Sequence, residues 1–159
     1  MSNGCDWSPD GRTFYYIDTF ASSVDAFDFD PSLGVIGNHR TLVTIAANEG
    51  LADGMTVDTE GCLWVAHLGL GEVRRYSPSG VLLARVNVPT PVVTNCTFGG
   101  PNGAVLLITS ATLRLPDVLL PRLGLTVEMA ESAAKAVEAG GLFMCRPGCF
   151  GKPATSFAG

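Results

Sequence analysis

The sequence is poor in charged residues and has no long apolar run. Only 16% of its 159 residues are Asp, Glu, Lys or Arg, and the net charge is −5. A nucleic-acid-binding domain needs a basic surface, which this composition does not supply. No apolar run approaches the roughly 18 residues of a transmembrane helix. No basic stretch followed by an apolar one stands at the N-terminus, so no signal peptide is visible, and a cytoplasmic location is expected.

Cysteine and acidic residues are too few or wrongly spaced for familiar disulfide or metal frameworks. The cysteine count is five, which is odd, and without an export signal it predicts free thiols. Cys145 and Cys149 have no second pair and no nearby histidine to complete a zinc site. The cluster of Asp25, Asp28 and Asp30 lacks the glycine and the distal glutamate of an EF-hand loop. We interpret it as a solvated strand face and turn.

What the sequence does contain is a repeated unit of strand, tight turn and strand. The clearest copy runs from Ala52 to His67, and Asn3, Asp53 and Asn95 begin three copies in one register. The copies are 50 and 42 residues apart, and each has a glycine eight residues after its first residue. Self-similarity at about 40–50 residues, with several short strands per copy, is the signature of propeller blades.

The repeat predicts an all-β protein with three four-stranded blades of a six-bladed β-propeller, forming a single partial domain over residues 1–159. The blades are expected at about 3–46, 52–88 and 95–159. A short helix, Thr126–Ala139, is expected to interrupt the third blade, because a threonine cap precedes an alanine-rich stripe. The expected strands are Cys5–Trp7, Thr13–Ile17, Val24–Phe29, Arg40–Ile45, Met55–Asp58, Leu63–His67, Glu72–Ser77, Val81–Val88, Asn95–Gly100, Val105–Thr109, Leu142–Arg146 and Ala154–Phe157.

Three blades are half of a ring, so two blade faces are left uncovered. Each blade of a propeller is covered by the next one, and the ring closes. Two explanations stay open: the chain is a fragment or a truncated reading frame, or two copies pair to make a six-bladed ring.

The residues that lead into the inner strands are expected to converge at one mouth of the channel. Asn3, Asp53 and Asn95 supply one carboxylate and two amide oxygens, which suit a hard divalent cation such as Ca²⁺ or Mg²⁺. Asp53 is also a candidate general base. The same residue types are ordinary turn residues that bond to backbone N–H groups, so spacing alone leaves both interpretations open. His67 and Asp18 lie within plausible reach, although a packed histidine and a solvated aspartate are the simpler interpretations.

The residues around these positions resemble the C-terminal half of the SMP-30/gluconolactonase/LRE (regucalcin-like) family. The resemblance covers nearly the whole chain in the right order. Only Leu113–Gly140 is loosely patterned. The matching stretches are Ser2–Gly11, Tyr15–Thr19, Val24–Asp28, Asp53–Met55, Leu63–Ala66 and Cys96–Gly100.

The resemblance implies hydrolysis of sugar lactones or related lactones by a propeller with one divalent metal ion at its channel mouth. Ca²⁺ is the first choice, and Zn²⁺, Mg²⁺ or Mn²⁺ are alternatives. The resemblance makes Asn3 and Asp53 metal ligands, and Asp53 the general base. Asn95 has no firm ligand role in the family and is kept on geometry alone. The family's N-terminal glutamate ligand, and the arginine and asparagine that orient substrate, have no counterpart here.

Two functional hypotheses follow. The first is a metal-dependent lactone hydrolase that acts on a small-molecule substrate and is complete only when a second copy or another polypeptide closes the ring. The second is a non-catalytic truncated propeller that acts as a calcium-binding or protein-interaction module, whose uncovered blade faces are apolar interaction surfaces. Neither hypothesis involves nucleic acid or a membrane.

Overall fold

The computed structural model describes residues 1–112, 120–123 and 126–153, and strands in these ranges form three antiparallel sheets. The first sheet contains β1 (Ser2–Trp7), β2 (Thr13–Asp18), β3 (Ser23–Asp30) and β4 (Val35–Thr44). The second contains β5 (Leu51–Val57), β6 (Leu63–Leu68), β7 (Glu72–Tyr76) and β8 (Leu82–Asn87). The third contains β9 (Val93–Gly99), β10 (Val105–Ser110) and β11 (Leu142–Cys145). In each sheet, strands that follow one another along the chain are hydrogen-bonded neighbours.

The all-β prediction is confirmed, with differences in the third sheet. Helix α1 (Val127–Lys135) precedes β11 in the sequence and ends earlier than the expected Thr126–Ala139. Residues 137–140 form a turn instead, and Val137, from the expected apolar stripe, is 95% exposed and has no core to join. The expected outer strand Ala154–Phe157 lies outside the described residues. Short 3₁₀ turns occur at Thr19–Ala21, Pro101–Gly103 and Leu120–Leu123.

Within the described ranges, no helix is both long enough and apolar enough to cross a membrane.

The inner strands begin earlier than the sequence pattern predicts. The starts of β1 and β5 precede the expected Cys5 and Met55, so Asn3 and Asp53 lie inside strands rather than in the loops before them. The reason is a β-bulge in each strand, which absorbs one extra residue and lets the pairing continue beyond it. Regular alternation is the basis of a strand prediction, and a bulge interrupts it.

Two cores hold the three sheets together. One lies between the first and second sheets and includes Ile17, Val24 and Val65. The other lies between the second and third sheets and includes Trp64 and Cys96. All five cysteines are free, as predicted. Burying apolar faces between stacked sheets is the main stabilising contribution in such an architecture.

A buried ion pair supports the turn that joins the first two strands of the second sheet. Asp58 is fully buried, and its Oδ2 accepts hydrogen bonds from Arg75 Nε (2.9 Å), Arg75 Nη2 (2.7 Å) and Trp64 Nε1 (2.9 Å). Its Oδ1 accepts from the backbone N–H groups of Glu60 and Cys62. A buried carboxylate is tolerated only when it is paired and hydrogen-bonded in this way.

The segment Cys149–Lys152, called here the closing segment, touches all three sheets. Its Gly151 N–H donates to Gly103 O (2.9 Å), and its Phe150 O accepts from Thr59 N–H (2.9 Å). Lys152 Nζ then donates to Asp6 Oδ1 (2.8 Å) and to a backbone carbonyl of the first sheet. The closing segment therefore ties the end of the described chain to its first strand.

We expect Asp58→Ala to lower the free energy of unfolding by about 3–5 kcal/mol, because it removes a fully buried carboxylate and leaves the half-buried Arg75 cation with the exposed Glu60 as its remaining carboxylate partner. The matched control is Asp28→Ala, which removes an exposed carboxylate paired with Arg40 and should leave the stability nearly unchanged. Urea unfolding of both variants measures the difference. Equal losses of stability would show that the Asp58 pair does not support the turn.

Candidate active site

Two β-bulges set the positions of Asn3 and Asp53. In the first sheet Ser2 pairs with Asp18 and the next pair is Cys5 with Tyr16, so Asn3 belongs to a two-residue step that opposes one residue. The second sheet repeats this step around Asp53, between the pairs formed by residues 52 and 55. Bulges occur next to active sites because they re-aim a side chain away from the regular alternation.

A glycine follows each of these polar residues and lets the next inner strand approach closely. A Cβ atom on Gly4 would lie 2.6 Å from Met55 N and 2.8 Å from Asp53 O. A Cβ atom on Gly54 would lie 2.7 Å from Asn95 Cα. All three distances are too short for any side chain, so only glycine permits this backbone approach. The inner strands of successive sheets therefore meet at the level of Asn3 and Asp53.

The Asn3 side chain connects Asp53 to the first sheet. Its Nδ2 donates to Thr19 Oγ1 at 3.1 Å, and its amide lies close enough to the Asp53 carboxylate to lower the pKa of that group. Thr19 is buried, and its hydroxyl donates to Ala52 O at 3.0 Å. Because the amide nitrogen is the donor in these contacts, the Asn3 carbonyl oxygen is the atom that suits a cation. Sequence reasoning missed Thr19, which ends the matched stretch Tyr15–Thr19 but carries no repeat signal of its own.

Burial raises the pKa of Asp53 to about 6, and the hydrogen bond from Asn3 opposes this shift. A carboxyl group with this pKa changes protonation close to neutral pH, which is the property of an efficient general acid or base. It is also a half-buried carboxylate whose charge a bound cation would stabilise, and such a cation would lower the pKa again.

The third sheet places a different residue at the equivalent position. Met55 pairs with Val65 in the second sheet, and Cys96 pairs with Ile108 in the third. Cys96 therefore corresponds to Met55. The residue two positions before Met55 is Asp53, and the residue two positions before Cys96 is Thr94. Thr94, and not Asn95, is thus the counterpart of Asn3 and Asp53. The alignment of the three repeats expected from the sequence is therefore shifted by one residue in the third sheet.

Asn95 is the counterpart of the glycine that follows the polar residue in the other two sheets. The Asn95 side chain lies against Gly54, and its Oδ1 accepts a hydrogen bond from the adjacent Cys96 N–H at 2.8 Å. The structure therefore brings Asn95 next to the Asp53 strand, with one oxygen already engaged by the backbone.

The other two predicted site residues are held by their own partners. Asp18 caps the 3₁₀ turn after β2 by accepting from the N–H groups of Phe20 and Ala21, and it also accepts from the Met1 amino group at 2.6 Å. His67 is completely buried beside β5 and has both ring nitrogens engaged. It therefore has the contacts of a core histidine, and the structure does not bring it to the mouth.

His67 belongs to a buried polar network that the sequence did not reveal. Its Nδ1 donates to Glu49 O at 2.9 Å, and its Nε2 accepts from the Tyr76 hydroxyl at 3.0 Å. Burial lowers the pKa of His67 to about 4, so the ring is neutral at pH 7. Arg74, also buried, pairs with Glu49 and Glu72 in the same region. The pairing of β6 with β7 brings His67 close to Tyr76, and Glu49 joins them from the turn before β5.

The oxygen ligands at this position are of the type that a hard divalent cation prefers, but there are too few of them to complete its coordination. No cluster of three or more His, Cys, Asp or Glu side chains in the described ranges is arranged to hold a metal ion. Asp53 and the Asn3 carbonyl oxygen offer two oxygen ligands, whereas Ca²⁺ takes about 6–8 and Mg²⁺ about six. Water and further protein groups would have to supply the rest.

Three stacked antiparallel sheets, with polar side chains on bulges where the inner strands meet, define a propeller-like protein with a candidate site at the inner-strand ends. The model of the SMP-30/gluconolactonase/LRE-like region matches residues 1–112. Regucalcin from Danio rerio is 42% identical over 161 aligned residues, which cover 100% of this chain and 50% of that protein. The chain therefore belongs to the SMP-30/gluconolactonase/LRE-like family, and the resemblance read from its sequence is confirmed.

Solved structures agree with this assignment. A calcium-binding protein, regucalcin from Agrobacterium tumefaciens, superposes with a TM-score of 0.80 at 29% identity, over 96% of this chain and 48% of that one. A gluconolactonase from Xanthomonas campestris superposes with a TM-score of 0.59 at 32% identity, over 68% of this chain and 34% of that one. The chain spans about half the length of the curated relatives it matches.

We expect Gly54→Ala to lower the free energy of unfolding by about 1–3 kcal/mol, because the new methyl group would press on the Asn95 backbone. Gly37→Ala is the matched control, since a Cβ on that strand glycine would meet open space and should be neutral or slightly stabilising. Urea unfolding compares the two variants. A Gly54→Ala variant as stable as the control would disprove the close approach of the second and third inner strands.

The pKa of Asp53 predicts a pH-dependent contribution to stability in the metal-free chain. Its pKa rises from 3.8 to about 6 on folding, so between these values the folded state keeps a proton that the unfolded state releases. The contribution of Asp53 to stability therefore falls as pH rises from about 4 to 6 and is constant above. The Asp53→Asn variant has no carboxyl group to lose this contribution. Its free energy of unfolding, compared with that of the natural chain, should therefore rise between about pH 4 and 6.

This relative gain in the unfolding free energy of Asp53→Asn should be on the order of 1 kcal/mol, because the partial exposure of Asp53 to solvent reduces the effect of its pKa shift. Chemical unfolding at pH 4, 5, 6 and 7 in the presence of chelator measures it. Parallel stability curves for the two chains over this range would contradict the raised pKa of Asp53.

Proposed function

We propose that this chain forms half of a metal-dependent lactone hydrolase ring that acts on sugar lactones, in the manner of a gluconolactonase. The observation that carries the proposal is that the β-bulges of the first two inner strands place Asn3 close to the half-buried Asp53, and burial raises the pKa of the Asp53 carboxyl to about 6. Membership of a family that includes gluconolactonases supports the reaction class. The Agrobacterium relative described as calcium-binding supports a cation at the site.

We infer that the three sheets are three blades of a single partial propeller domain over residues 1–159. The packing of each sheet on the next supports this arrangement, since blades are stacked sheets that cover one another. In the same proposal, Ala154–Phe157 is the outer strand of the third blade.

Asn3 and Asp53 would hold the cation through oxygen atoms. Ca²⁺ suits such a site, and Zn²⁺, Mg²⁺ or Mn²⁺ also accept carboxylate and amide oxygens. When bound, a divalent cation polarises the lactone carbonyl and makes a nearby water more acidic.

The protein's own residues supply the proton transfers. The Asp53 carboxylate takes a proton from the attacking water as its oxygen bonds to the lactone carbonyl carbon. The ring C–O bond then breaks, and the proton on Asp53 passes to the leaving alkoxide oxygen, so the product is a hydroxy acid. Asn3 orients the Asp53 carboxylate through its amide, and Thr19 fixes that amide in turn. A positioned base of this kind contributes about 10²–10⁴ to the rate.

A second function is favoured by the uncovered aromatic face of the first sheet, where Trp7 lies 4.9 Å from Phe14 between ring centroids. Partly exposed clusters of this kind mark interaction sites. On this alternative, the chain is a non-catalytic truncated propeller that binds calcium or another protein. The enzyme hypothesis needs metal ligands beyond Asn3 and Asp53, whereas a protein-binding module does not.

We expect the purified chain to hydrolyse glucono-δ-lactone faster than the spontaneous reaction when Ca²⁺ or Mn²⁺ is added, and to lose this activity with chelator. Asp53→Asn should reduce the rate about 100-fold or more, because it removes the base. Asp28→Asn, an exposed acidic residue of the first sheet, should leave the rate unchanged. A pH-stat assay records acid release. A rate no higher than background under all conditions would reject the enzyme and leave the binding module.

A further inference from the structure

The inner strand of the third sheet carries a β-bulge built like those of the first two. The pairing of β9 with β10 shifts between Thr109 and Ser110, and this shift leaves Thr94 as the extra residue on the inner strand. Asn3 and Asp53 hold the same place in β1 and β5. All three side chains are partly exposed. Thr94 is therefore the third polar residue at this level of the inner strands.

The same close backbone approach relates each bulge to the next one. A Cβ atom on Gly4 would come within 2.6 Å of the backbone of the second inner strand, and one on Gly54 within 2.7 Å of the backbone of the third. These glycines directly follow Asn3 and Asp53. Because β9 approaches β5 as β5 approaches β1, the repeated step puts Thr94 on the opposite side of Asp53 from Asn3.

The residue across from the third bulge departs from the repeat. In the first two sheets this residue is apolar and buried, and it is Ile17 or Ala66. In the third sheet it is Thr109, whose hydroxyl oxygen lies 2.9 Å from that of Thr94 and donates to Asn95 O at 3.5 Å. A hydroxyl group in place of an apolar side chain gives the Thr94 side chain a polar contact that fixes its direction.

This contact uses the proton of Thr94 and leaves its oxygen available. A hydroxyl group has one proton, and that of Thr109 goes to Asn95 O, so the proton between the two hydroxyl oxygens comes from Thr94. Asn3 is fixed in the same manner, because its Nδ2 donates to Thr19 Oγ1, which donates to a backbone carbonyl. In both arrangements the donor is engaged within the protein and an oxygen is left as an acceptor.

The chemistry of a hydroxyl oxygen separates Thr94 from its two counterparts. Carboxylate and amide carbonyl oxygens, as in Asp53 and Asn3, are the ligands that Ca²⁺ and Mg²⁺ prefer. A neutral hydroxyl oxygen competes poorly with them for a cation but accepts a hydrogen bond from another hydroxyl group well. A ring that carries several hydroxyl groups beside its reacting carbonyl supplies such a donor.

We propose that Thr94 is a substrate-binding residue whose hydroxyl oxygen accepts a hydrogen bond from a ring hydroxyl group of a sugar lactone, with Thr109 as its positioning residue. The inference rests on the proposed function, because it names how the same site selects polyhydroxylated lactones over plain ones. A site that hydrogen-bonds a substrate hydroxyl group rejects the analogue that lacks it, since the polar group of the protein is then left without its partner.

The test compares the binding of two uncharged ring compounds that resist hydrolysis. D-Glucono-δ-lactam carries the ring hydroxyl groups, and δ-valerolactam has the same ring without them. Calorimetric titration in a Ca²⁺ buffer should show that the natural chain binds the gluconolactam about 10-fold more tightly or better. Thr94→Val keeps the shape of the side chain and removes its oxygen, so it should weaken gluconolactam binding about 10-fold and leave valerolactam binding unchanged.

Three further variants make the result specific for the hydroxyl group of Thr94. Thr94→Ser should recover most of the affinity for the gluconolactam. Thr109→Val should weaken gluconolactam binding about 3-fold, because the Thr94 hydroxyl group loses the hydrogen bond that orients it. Thr97→Val, on the same strand beyond the bulge, should change the binding of neither compound. Circular dichroism verifies that each variant is folded.

Several results would overturn the role of Thr94. They are a Thr94→Val variant that binds the gluconolactam as well as the natural chain does, an equal loss of affinity for both lactams, and a natural chain that does not distinguish the two. A titration with Ca²⁺ alone is the remaining check. Weaker Ca²⁺ binding by Thr94→Val would make the residue a cation ligand and would also overturn the proposal.

Hydrolysis assays separate this inference from the proposed function. With glucono-δ-lactone and δ-valerolactone as substrates, Thr94→Val should lower kcat/KM about 10-fold for the first and leave the second unchanged. Lactam binding that depends on Thr94, without lactone hydrolysis, would reject the hydrolase and keep Thr94 as a residue that recognises a sugar ring. Hydrolysis of both lactones with equal losses in Thr94→Val would keep the hydrolase and reject the role of Thr94.

Discussion

The close backbone approach of the inner strands is the constraint on which the rest of the structure depends. Gly4 and Gly54 leave no room for a Cβ atom, so β1, β5 and β9 come together where their bulges lie. This contact sets the distance between stacked sheets, and the two apolar cores fill the space that widens away from it. It also places Asn3 beside Asp53, so the same geometry that packs the sheets assembles the candidate site.

Stability and site chemistry are arranged at opposite ends of the inner strands. At one end, Asp58 is a buried carboxylate whose charge is met by Arg75 and by several N–H donors. At the other end, Asp53 is half-buried and receives an amide hydrogen bond from Asn3, and its pKa is about 6. The contrast has a physical meaning: a fully satisfied carboxylate holds a fold together, whereas an incompletely satisfied one is available to a proton or a cation.

The repeat and the alternation of apolar residues were enough to predict the three sheets, and the resemblance of the matching stretches was enough to predict the family. They did not predict the bulges, because a bulge adds one residue without changing the residue types around it, and this is why Asn95 was placed in the position that Thr94 holds. Thr19, Glu49 and Arg74 were missed for another reason. Their contacts join segments far apart in sequence, and no local pattern records which side chains a β-meander brings together.

The closing segment has a consequence for how the chain folds. Lys152 and Asp6 are 146 residues apart, so their ion pair is among the longest-range contacts that a chain of this size can make. Closing so large a loop costs conformational entropy before the contact repays it, and topologies rich in such contacts fold slowly. On a ribosome, the first two sheets emerge well before the residue that ties them to the third. Until Lys152 appears, the first two sheets are joined by the apolar core between them and by the hydrogen bond from Val57 N–H to Asp6 Oδ2.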